Sequence, residues 1–215
     1  MSDSFVIDIW SAVVCPFCYL GTRQLEVALQ QFDHRAHVVQ RLRAFELDPV
    51  APTDYAMSLP ELLAKKYSMP VERARAMNDR LEEQARSLGM SWSLATALPT
   101  NTFDAHRLIA LAATEGLAQP MVQRLFRAYF SEGALLSDRA VLESLALEVG
   151  VRSAHDLWEG DLYTSDVRDD EAQAQDLGIS GVPSILIDGT FMVVGAQGSP
   201  QILEALNRAW DRSNA

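Results

Sequence analysis

Apolar positions in three parts of the chain follow the patterns of β-strands. Residues 5–10 and residues 37–45 predict two strands, and the segment between them, residues 19–32, has apolar positions at helical spacing. Residues 184–194 form two apolar runs around Asp188-Gly189, a pair typical of a hairpin turn. The pattern therefore predicts a strand–helix–strand unit near the N-terminus and a hairpin near the C-terminus.

The central part of the chain, from about Leu59 to about Leu157, has the period of amphipathic helices throughout. Breaks at residues 99–102 and 137–138 separate these helices. Three apolar stripes are expected to face a core: Val71, Ala74, Met77, Leu81 and Leu88; Met121, Val122, Leu125, Phe126 and Tyr129; and Leu142, Leu145, Ala146 and Val149. The predicted organisation is an α/β domain, residues 1–55 and 160–215, interrupted by an all-helical insertion, residues 56–159.

Two further helices are predicted after the insertion. Residues 163–177 are acidic and weakly amphipathic, so we expect a helix with a solvated outer face. Ser199 as N-cap and Pro200 as first helical residue begin the second helix. Its apolar stripe is Ile202, Leu203, Leu206 and Trp210.

The charge balance excludes some classes of partner. The chain has 18 basic and 29 acidic residues, a net charge of −11, which disfavours binding to nucleic acid or to an anionic membrane surface. The segment from Met1 to Ser4 lacks the features of a secretory signal, and no apolar run has the length of a membrane span. We therefore expect a cytoplasmic protein.

The two cysteines of the chain, Cys15 and Cys18, stand where the first strand gives way to a helix. In a reducing compartment this spacing favours redox chemistry over a structural disulfide. Free amides and the helix dipole at a helix N-terminus stabilise a thiolate at Cys15, whereas Cys18 lies one turn further and is more covered. Pro16 suits the first helical turn because it has no amide hydrogen. Cys15 is thus the predicted nucleophile and Cys18 the predicted resolving thiol.

Two other interpretations of the cysteine pair stay open. With His34 and His37 the pair could bind zinc, although only two residues separate these histidines, fewer than in zinc fingers. Alternatively, both thiols are buried and inert. We expect no metal site.

Gly181-Val182-Pro183 immediately precedes the first strand of the hairpin. Proline is tolerated at the first residue of a strand. A cis bond before Pro183 would leave the Val182 backbone free to pair with an extended peptide or glutathione beside Cys15. The residues alone leave cis and trans open, and trans is the commoner form.

Six short motifs, spread in order over almost the whole chain, resemble the FrnE-type branch of the DsbA family. They are Cys-Pro-Phe-Cys-Tyr-Leu-Gly (15–21), Phe-Glu-Leu-Asp-Pro (45–49), Asn-Thr-Phe-Asp-Ala-His-Arg-Leu (101–108), Tyr-Phe-Ser-Glu-Gly (129–133), Gly-Val-Pro (181–183) and Gly-Ala-Gln (195–197).

The resemblance implies a thioredoxin fold with a helical insertion, a Cys15–Cys18 redox centre and a cis Pro183 facing it. It also implies that Gly195 and Gln197 lie near the substrate groove, so Phe17, Val182, Pro183 and Gln197 are the expected substrate-binding residues. The chain departs from the branch at Phe17, commonly Trp, and at Ala12, commonly acidic. Residues between the cysteines tune the reduction potential.

Three other features each allow two interpretations. Asp8 on the first strand faces either the interior, as a proton acceptor for Cys18, or solvent. His106 lines the substrate groove or is simply packed. Met77, Trp92, Phe126 and Tyr129 bind clients or, as is commoner, fill a core.

The predicted activity is disulfide exchange with protein or small-molecule thiols, without a prosthetic group and with glutathione as an optional co-substrate. One alternative is a glutathione-dependent enzyme like the kappa-class transferases or 2-hydroxychromene-2-carboxylate isomerases. These have a serine at the position of Cys15 and generally lack the second cysteine. Another alternative is a redox-regulated holdase. A homodimer formed through the insertion is a hypothesis for the oligomeric state.

Overall fold

The computed structural model describes residues 4–214. Met1–Asp3, which belong to the segment inspected for a signal sequence, lie outside the described residues. The chain divides into two compact units. The first contains the residues up to Phe45 and those from Arg168 onward, and the second is Glu46–Val167.

Four strands form the sheet of the first unit in the order β2-β1-β3-β4. Strand β1 is Phe5–Ser11, β2 is Val38–Ala44, β3 is Ser184–Ile187 and β4 is Phe191–Val194. The pairing of β1 is parallel with β2 and antiparallel with β3, and the β3–β4 pair is the predicted hairpin. Its turn places Asp188 and Gly189 at positive φ angles of 48° and 64°. The strands predicted from the pattern are confirmed.

The α-helices are, in chain order, α1 (Pro16–Gln31), α2 (Leu59–Lys66), α3 (Val71–Ser87), α4 (Phe103–Thr114), α5 (Ala118–Glu132), α6 (Arg139–Val149), α7 (Thr164–Asp176) and α8 (Ser199–Ser213). Short 3₁₀ turns occur at Arg35–His37 and Ala154–Glu159. Within residues 4–214, no helix is both long enough and apolar enough to cross a membrane.

The core of the first unit joins one face of β1 to α1 and α8. Alternate residues of β1 are buried there, and they pack with the apolar stripes of the two helices. The members are Phe5, Ile7, Ile9, Leu25, Ala28, Phe32, Ile185, Ile187, Ile202, Leu206 and Ala209. One helix boundary differs from the prediction: the N-cap of α8 is Gly198, at φ 96°, and Ser199 is already helical.

The second unit buries the stripe predicted on α5 and most of that on α6, including Leu125, Phe126 and Leu142, whereas Val149 is half-buried. The predicted stripe of α3 is wrong in part, because Met77 is 39% exposed. The buried residues of α3 are Ala74, Asn78 and Ala85. Small and polar residues carry little hydrophobic signal, so the apolar pattern pointed to a neighbouring face.

The segment that follows Phe45 belongs to the helical unit by its hydrogen bonds. The Pro52 carbonyl accepts from the Asn101 N–H at 3.0 Å. The Thr53 carbonyl accepts from the hydroxyls of Thr100 and Ser137 at 2.8 and 2.6 Å. These bonds place Pro52 and Thr53 in the second unit, whereas the boundary proposed from the sequence came after residue 55.

Candidate active site

Cys15 caps α1 at the point where the chain leaves β1. Its N–H donates to the Ala12 carbonyl at 3.0 Å, and its own carbonyl accepts from the N–H groups of Cys18 and Tyr19 at 3.1 and 3.3 Å. Pro16 occupies the first helical turn. Both cysteines are free thiols. The predicted position of the pair, at a strand-to-helix junction, is confirmed.

The two sulfur atoms have different surroundings. Cys15 is 5% exposed and Cys18 is fully buried. The Cys18 Sγ accepts a hydrogen bond from the Ala12 N–H at 3.4 Å. Cys18 is therefore the more covered thiol, as the helical spacing predicts, although Cys15 is also largely enclosed.

The pKa values of the two thiols move in opposite directions. A hydrogen bond from the Cys18 side chain lowers the pKa of Cys15, burial opposes this effect, and the N–H groups of Cys18 and Phe17 reinforce it. Burial raises the pKa of Cys18 well above its ordinary value, and the neighbouring Cys15 raises it further. When the pair holds a single proton, that proton therefore stays on Cys18 and Cys15 is the thiolate.

A loop ending in Pro183 approaches Cys15. The Val182–Pro183 peptide bond is cis, the alternative that the sequence left open. The Cys15 Sγ donates to the Val182 carbonyl at 3.7 Å. The Pro183 carbonyl accepts from the Gly195 N–H at 2.7 Å, and the Ser184 hydroxyl donates to the Gly181 carbonyl at 2.8 Å. The loop is thus fixed at both ends beside the nucleophile.

Two other predicted substrate-binding residues are exposed. Phe17, between the cysteines, is 47% exposed. Gln197 is exposed too, and its Nε2 donates to the Val194 carbonyl at 2.7 Å. Gly195 and Gln197 follow the strand β4 that pairs with the start of β3. Their contact with substrate stays a prediction.

The geometry agrees with comparisons to known proteins. The family model of the DSBA-like thioredoxin domain matches residues 6–207. The chain belongs to this family. A crystal structure of a probable DsbA oxidoreductase, SCO1869 from Streptomyces coelicolor, is 33% identical, with 96% of this chain and 90% of that chain covered and a TM-score of 0.92.

Two further proteins resemble this DsbA-like chain over nearly its full length. The uncharacterized protein YwbO of Bacillus subtilis is 26% identical over 207 residues, which are 94% of this chain and 95% of YwbO. The cytosolic disulfide reductase DsbM from Pseudomonas aeruginosa, in its structure with GSH, is 18% identical, covers 97% of both chains and has a TM-score of 0.61. At that identity the likeness to DsbM concerns the fold. Family and site together make this DsbA-like protein a thiol–disulfide oxidoreductase.

In this DsbA-like protein Asp8 pairs with Arg43 and is not a proton acceptor for Cys18. Its carboxylate accepts from Arg43 at 2.8 Å, and the same guanidinium binds Asp170 of α7 at 2.9 Å. Asp170 also accepts from the Ala44 N–H at 2.9 Å, and its carbonyl accepts from the Trp10 indole at 3.0 Å. The acidic segment therefore contains a structural carboxylate, whereas the sequence predicted only a solvated face. Nothing in the periodicity distinguishes Asp170 from the acids around it.

The histidines named in the sequence analysis lie in packed surroundings. The His34 ring stacks on Trp210 at 4.1 Å, and the His37 ring lies 5.3 Å from the same indole. Within residues 4–214, no group of three or more His, Cys, Asp or Glu residues is arranged to hold a metal ion. His106 is buried on α4. The packing of His34 and His37 against Trp210 is structural, and a groove role for His106 stays a prediction.

Proposed function

We propose that the protein exchanges disulfides with protein and small-molecule thiols through Cys15 and Cys18. The observation that carries the proposal is that the pKa values of two neighbouring free thiols shift in opposite directions. The lowered pKa of Cys15 favours its thiolate, and the raised pKa of Cys18 favours its protonated thiol. A nucleophile must be a thiolate, whereas a resolving thiol must stay protonated until a mixed disulfide exists.

The proposed reaction has two steps. The Cys15 thiolate attacks one sulfur of a substrate disulfide, a Cys15–substrate bond forms, and the other substrate sulfur leaves as a thiolate that takes a proton from water. Cys18 then loses its proton to water or buffer and attacks the Cys15 sulfur. The Cys15–Cys18 disulfide forms and the second substrate thiolate leaves, so the substrate is reduced by two electrons and the enzyme is oxidised. The reverse sequence oxidises a substrate dithiol.

The substrate is proposed to lie along the Val182–Pro183 loop and over Phe17. The Val182 carbonyl already lies beside the Cys15 sulfur. Backbone groups there offer an extended peptide or glutathione a strand-like partner, which is insensitive to the substrate's side chains. The exposed ring of Phe17 adds an apolar contact next to the reacting sulfur. Gln197 is proposed to contribute a polar contact through its Oε1.

Glutathione is proposed as a co-substrate, in a cytoplasmic setting and with no prosthetic group. The fold likeness to the cytosolic reductase DsbM with GSH supports this setting. The two cysteines argue against the kappa-class or 2-hydroxychromene-2-carboxylate isomerase activity, which employs a serine at the position of Cys15. The holdase alternative is weakened because Trp92, Phe126 and Tyr129 are buried.

Insulin reduction in the presence of dithiothreitol tests the proposal. The wild-type protein should accelerate precipitation of the insulin B chain, and Cys15→Ser should abolish the acceleration. In the Cys18→Ser variant, Cys15 should still attack insulin disulfides, but the Cys15–insulin mixed disulfide should accumulate and be visible by mass spectrometry. Equal activity of wild type and Cys15→Ser would refute the proposal. Activity that survives both substitutions and requires glutathione would favour the isomerase or transferase class.

A further inference from the structure

Cys18 must become a thiolate inside a closed site. It is fully buried, and burial together with Cys15 raises its pKa. Besides burial, the groups that shift its pKa are Cys15 at the N-cap of the helix, the Ala12 N–H and the hydroxyl of Ser11. The Asp8 carboxylate is paired with Arg43. Stabilisation of a Cys18 thiolate therefore has to come from neutral donors.

Ser11 is a polar residue at the end of an apolar face. Phe5, Ile7 and Ile9 alternate along β1 and pack in the core with α1, and Ser11 is the next position on that face. It is 6% exposed, and within residues 4–214 its Oγ has no hydrogen-bond partner. A buried hydroxyl without a partner costs about 1–3 kcal/mol, so an apolar residue would suit the fold better.

The Ser11 hydroxyl forms no hydrogen bond in the resting site, yet it lowers the pKa of the Cys18 thiol, in the same sense as the Ala12 N–H and against the effect of burial. Ala12, which follows Ser11 directly, donates its N–H to that sulfur atom at 3.4 Å, so the Ser11 hydroxyl adjoins an established donor to Cys18. A hydroxyl can rotate to donate once the sulfur becomes negative.

We infer that Ser11 is a catalytic residue whose hydroxyl donates a hydrogen bond to the Cys18 thiolate during the resolving step. The inference rests on the proposed two-step exchange. Cys18 gives its proton to water or buffer, the Ser11 and Ala12 donors hold the resulting thiolate, and its electron pair forms the bond to the Cys15 sulfur. In the reverse direction, Cys18 leaves the enzyme disulfide as a thiolate and receives the same two hydrogen bonds.

This role predicts a change in rate with little change in equilibrium. Cys18 is a protonated thiol in the reduced enzyme and part of a disulfide in the oxidised enzyme, so neither end state needs a donor to a thiolate. Ser11→Ala should therefore slow the resolving step while the Cys15–Cys18 reduction potential stays close to that of wild type. If Ser11 only supported the fold, Ser11→Ala would change the reaction rates of both cysteines or lower the melting temperature.

Ellman's reagent, used in stopped flow, separates the two steps. The first release of thionitrobenzoate reports attack by Cys15, and the second reports attack by Cys18 on the mixed disulfide. Thr22→Val is the matched control, because Thr22 is equally enclosed and its hydroxyl donates to the Cys18 carbonyl at 2.9 Å rather than to the sulfur. Both steps are measured on the same folded molecules, so loss of folded protein lowers their amplitudes together.

In Ser11→Ala we expect the second release to slow by about tenfold or more at neutral pH, the effect of losing a hydrogen bond to a charged group. The midpoint of its pH profile should move upward. The first release should be unchanged, and Thr22→Val should resemble wild type in both steps. An unchanged second step in Ser11→Ala, or equal slowing in Thr22→Val, would overturn the role of Ser11. Absence of the second release in wild type would instead refute the two-step exchange itself.

Discussion

Gly21 of α1 lies directly against Pro183. A Cβ atom at Gly21 would stand 2.8 Å from the Pro183 Cγ and 3.5 Å from its Cβ. Atoms of side chains do not approach so closely without displacement, so the helix that carries the cysteines and the loop that carries Val182 meet at a position suited to glycine. Since Gly21 lies one helical turn beyond Cys18, this contact sets the separation of the nucleophile from the Val182 carbonyl.

Gly21→Ala is expected to impair both packing and exchange. The added methyl group must push Pro183 away from α1, at a cost of about 1–3 kcal/mol in the free energy of unfolding, and the Val182 carbonyl moves away from Cys15 with it. Urea denaturation and the insulin assay measure the two effects. Gly181→Ala is the control in the same loop, because a Cβ there meets no atom within 4 Å. Equal behaviour of the two variants would show that the Gly21 contact is unimportant.

Cys18→Ala should raise the pKa of Cys15. The hydrogen bond from the Cys18 side chain is the largest effect lowering that pKa, and alanine removes it, while the Phe17 and Cys18 N–H groups remain. The Cys15 thiolate fraction at neutral pH should fall, so alkylation by iodoacetamide should slow at pH values below the new pKa. Thiolate absorbance against pH measures the pKa in both proteins. A pKa equal to that of wild type would contradict the assigned cause.

The converse substitution provides the check. In Cys15→Ala the pKa of Cys18 should fall, because Cys15 is one of the groups that raise it. It should nevertheless stay above the ordinary thiol value, because burial is the larger cause and is unchanged.

The sequence predicted the elements and the reacting atoms of this protein better than their supporting contacts. Apolar periodicity identifies β1 and α1, and the spacing of Cys15 and Cys18 identifies the redox centre, because each signal is local in the chain. The Asp170 contacts are non-local and polar, and the fit of Gly21 to Pro183 requires coordinates. Neither produces a hydrophobic period, so neither was predicted. Strand alternation leaves both faces of β1 open for Asp8, and it does not reveal that Arg43 binds the Asp8 carboxylate.

Asp170→Ala should destabilise the protein by about 2 kcal/mol. The substitution removes the partner of the Ala44 N–H, at the last residue of β2, and one of the two carboxylates that bind Arg43. Chemical denaturation measures the loss. Asp169→Ala removes the same charge from an exposed neighbour on α7 and should stay within about 0.5 kcal/mol of wild type. If both variants lose the same stability, net charge rather than the Asp170 contacts is responsible.

Phe17→Ala should weaken the binding of protein substrates without changing the chemistry of Cys15. The side chain of Phe17 is exposed, so its truncation removes little of the core. Its N–H group, which lowers the pKa of Cys15, remains. With insulin as the disulfide substrate and dithiothreitol as reductant, we expect KM to rise about fivefold, the effect of losing an apolar contact worth ~1 kcal/mol.

Two measurements separate this role of Phe17 from a general effect of apolar surface. The first step with Ellman's reagent, which needs no peptide contact, should proceed at the wild-type rate in Phe17→Ala. Leu177→Ala is the matched control, since Leu177 is 46% exposed against 47% for Phe17 and lies just beyond the end of α7. Leu177→Ala should leave KM unchanged. If KM rises equally in both variants, the effect belongs to exposed apolar surface in general and not to a contact beside Cys15. If KM rises in neither variant, Phe17 does not contact the substrate. Either result would exclude Phe17 from the substrate site.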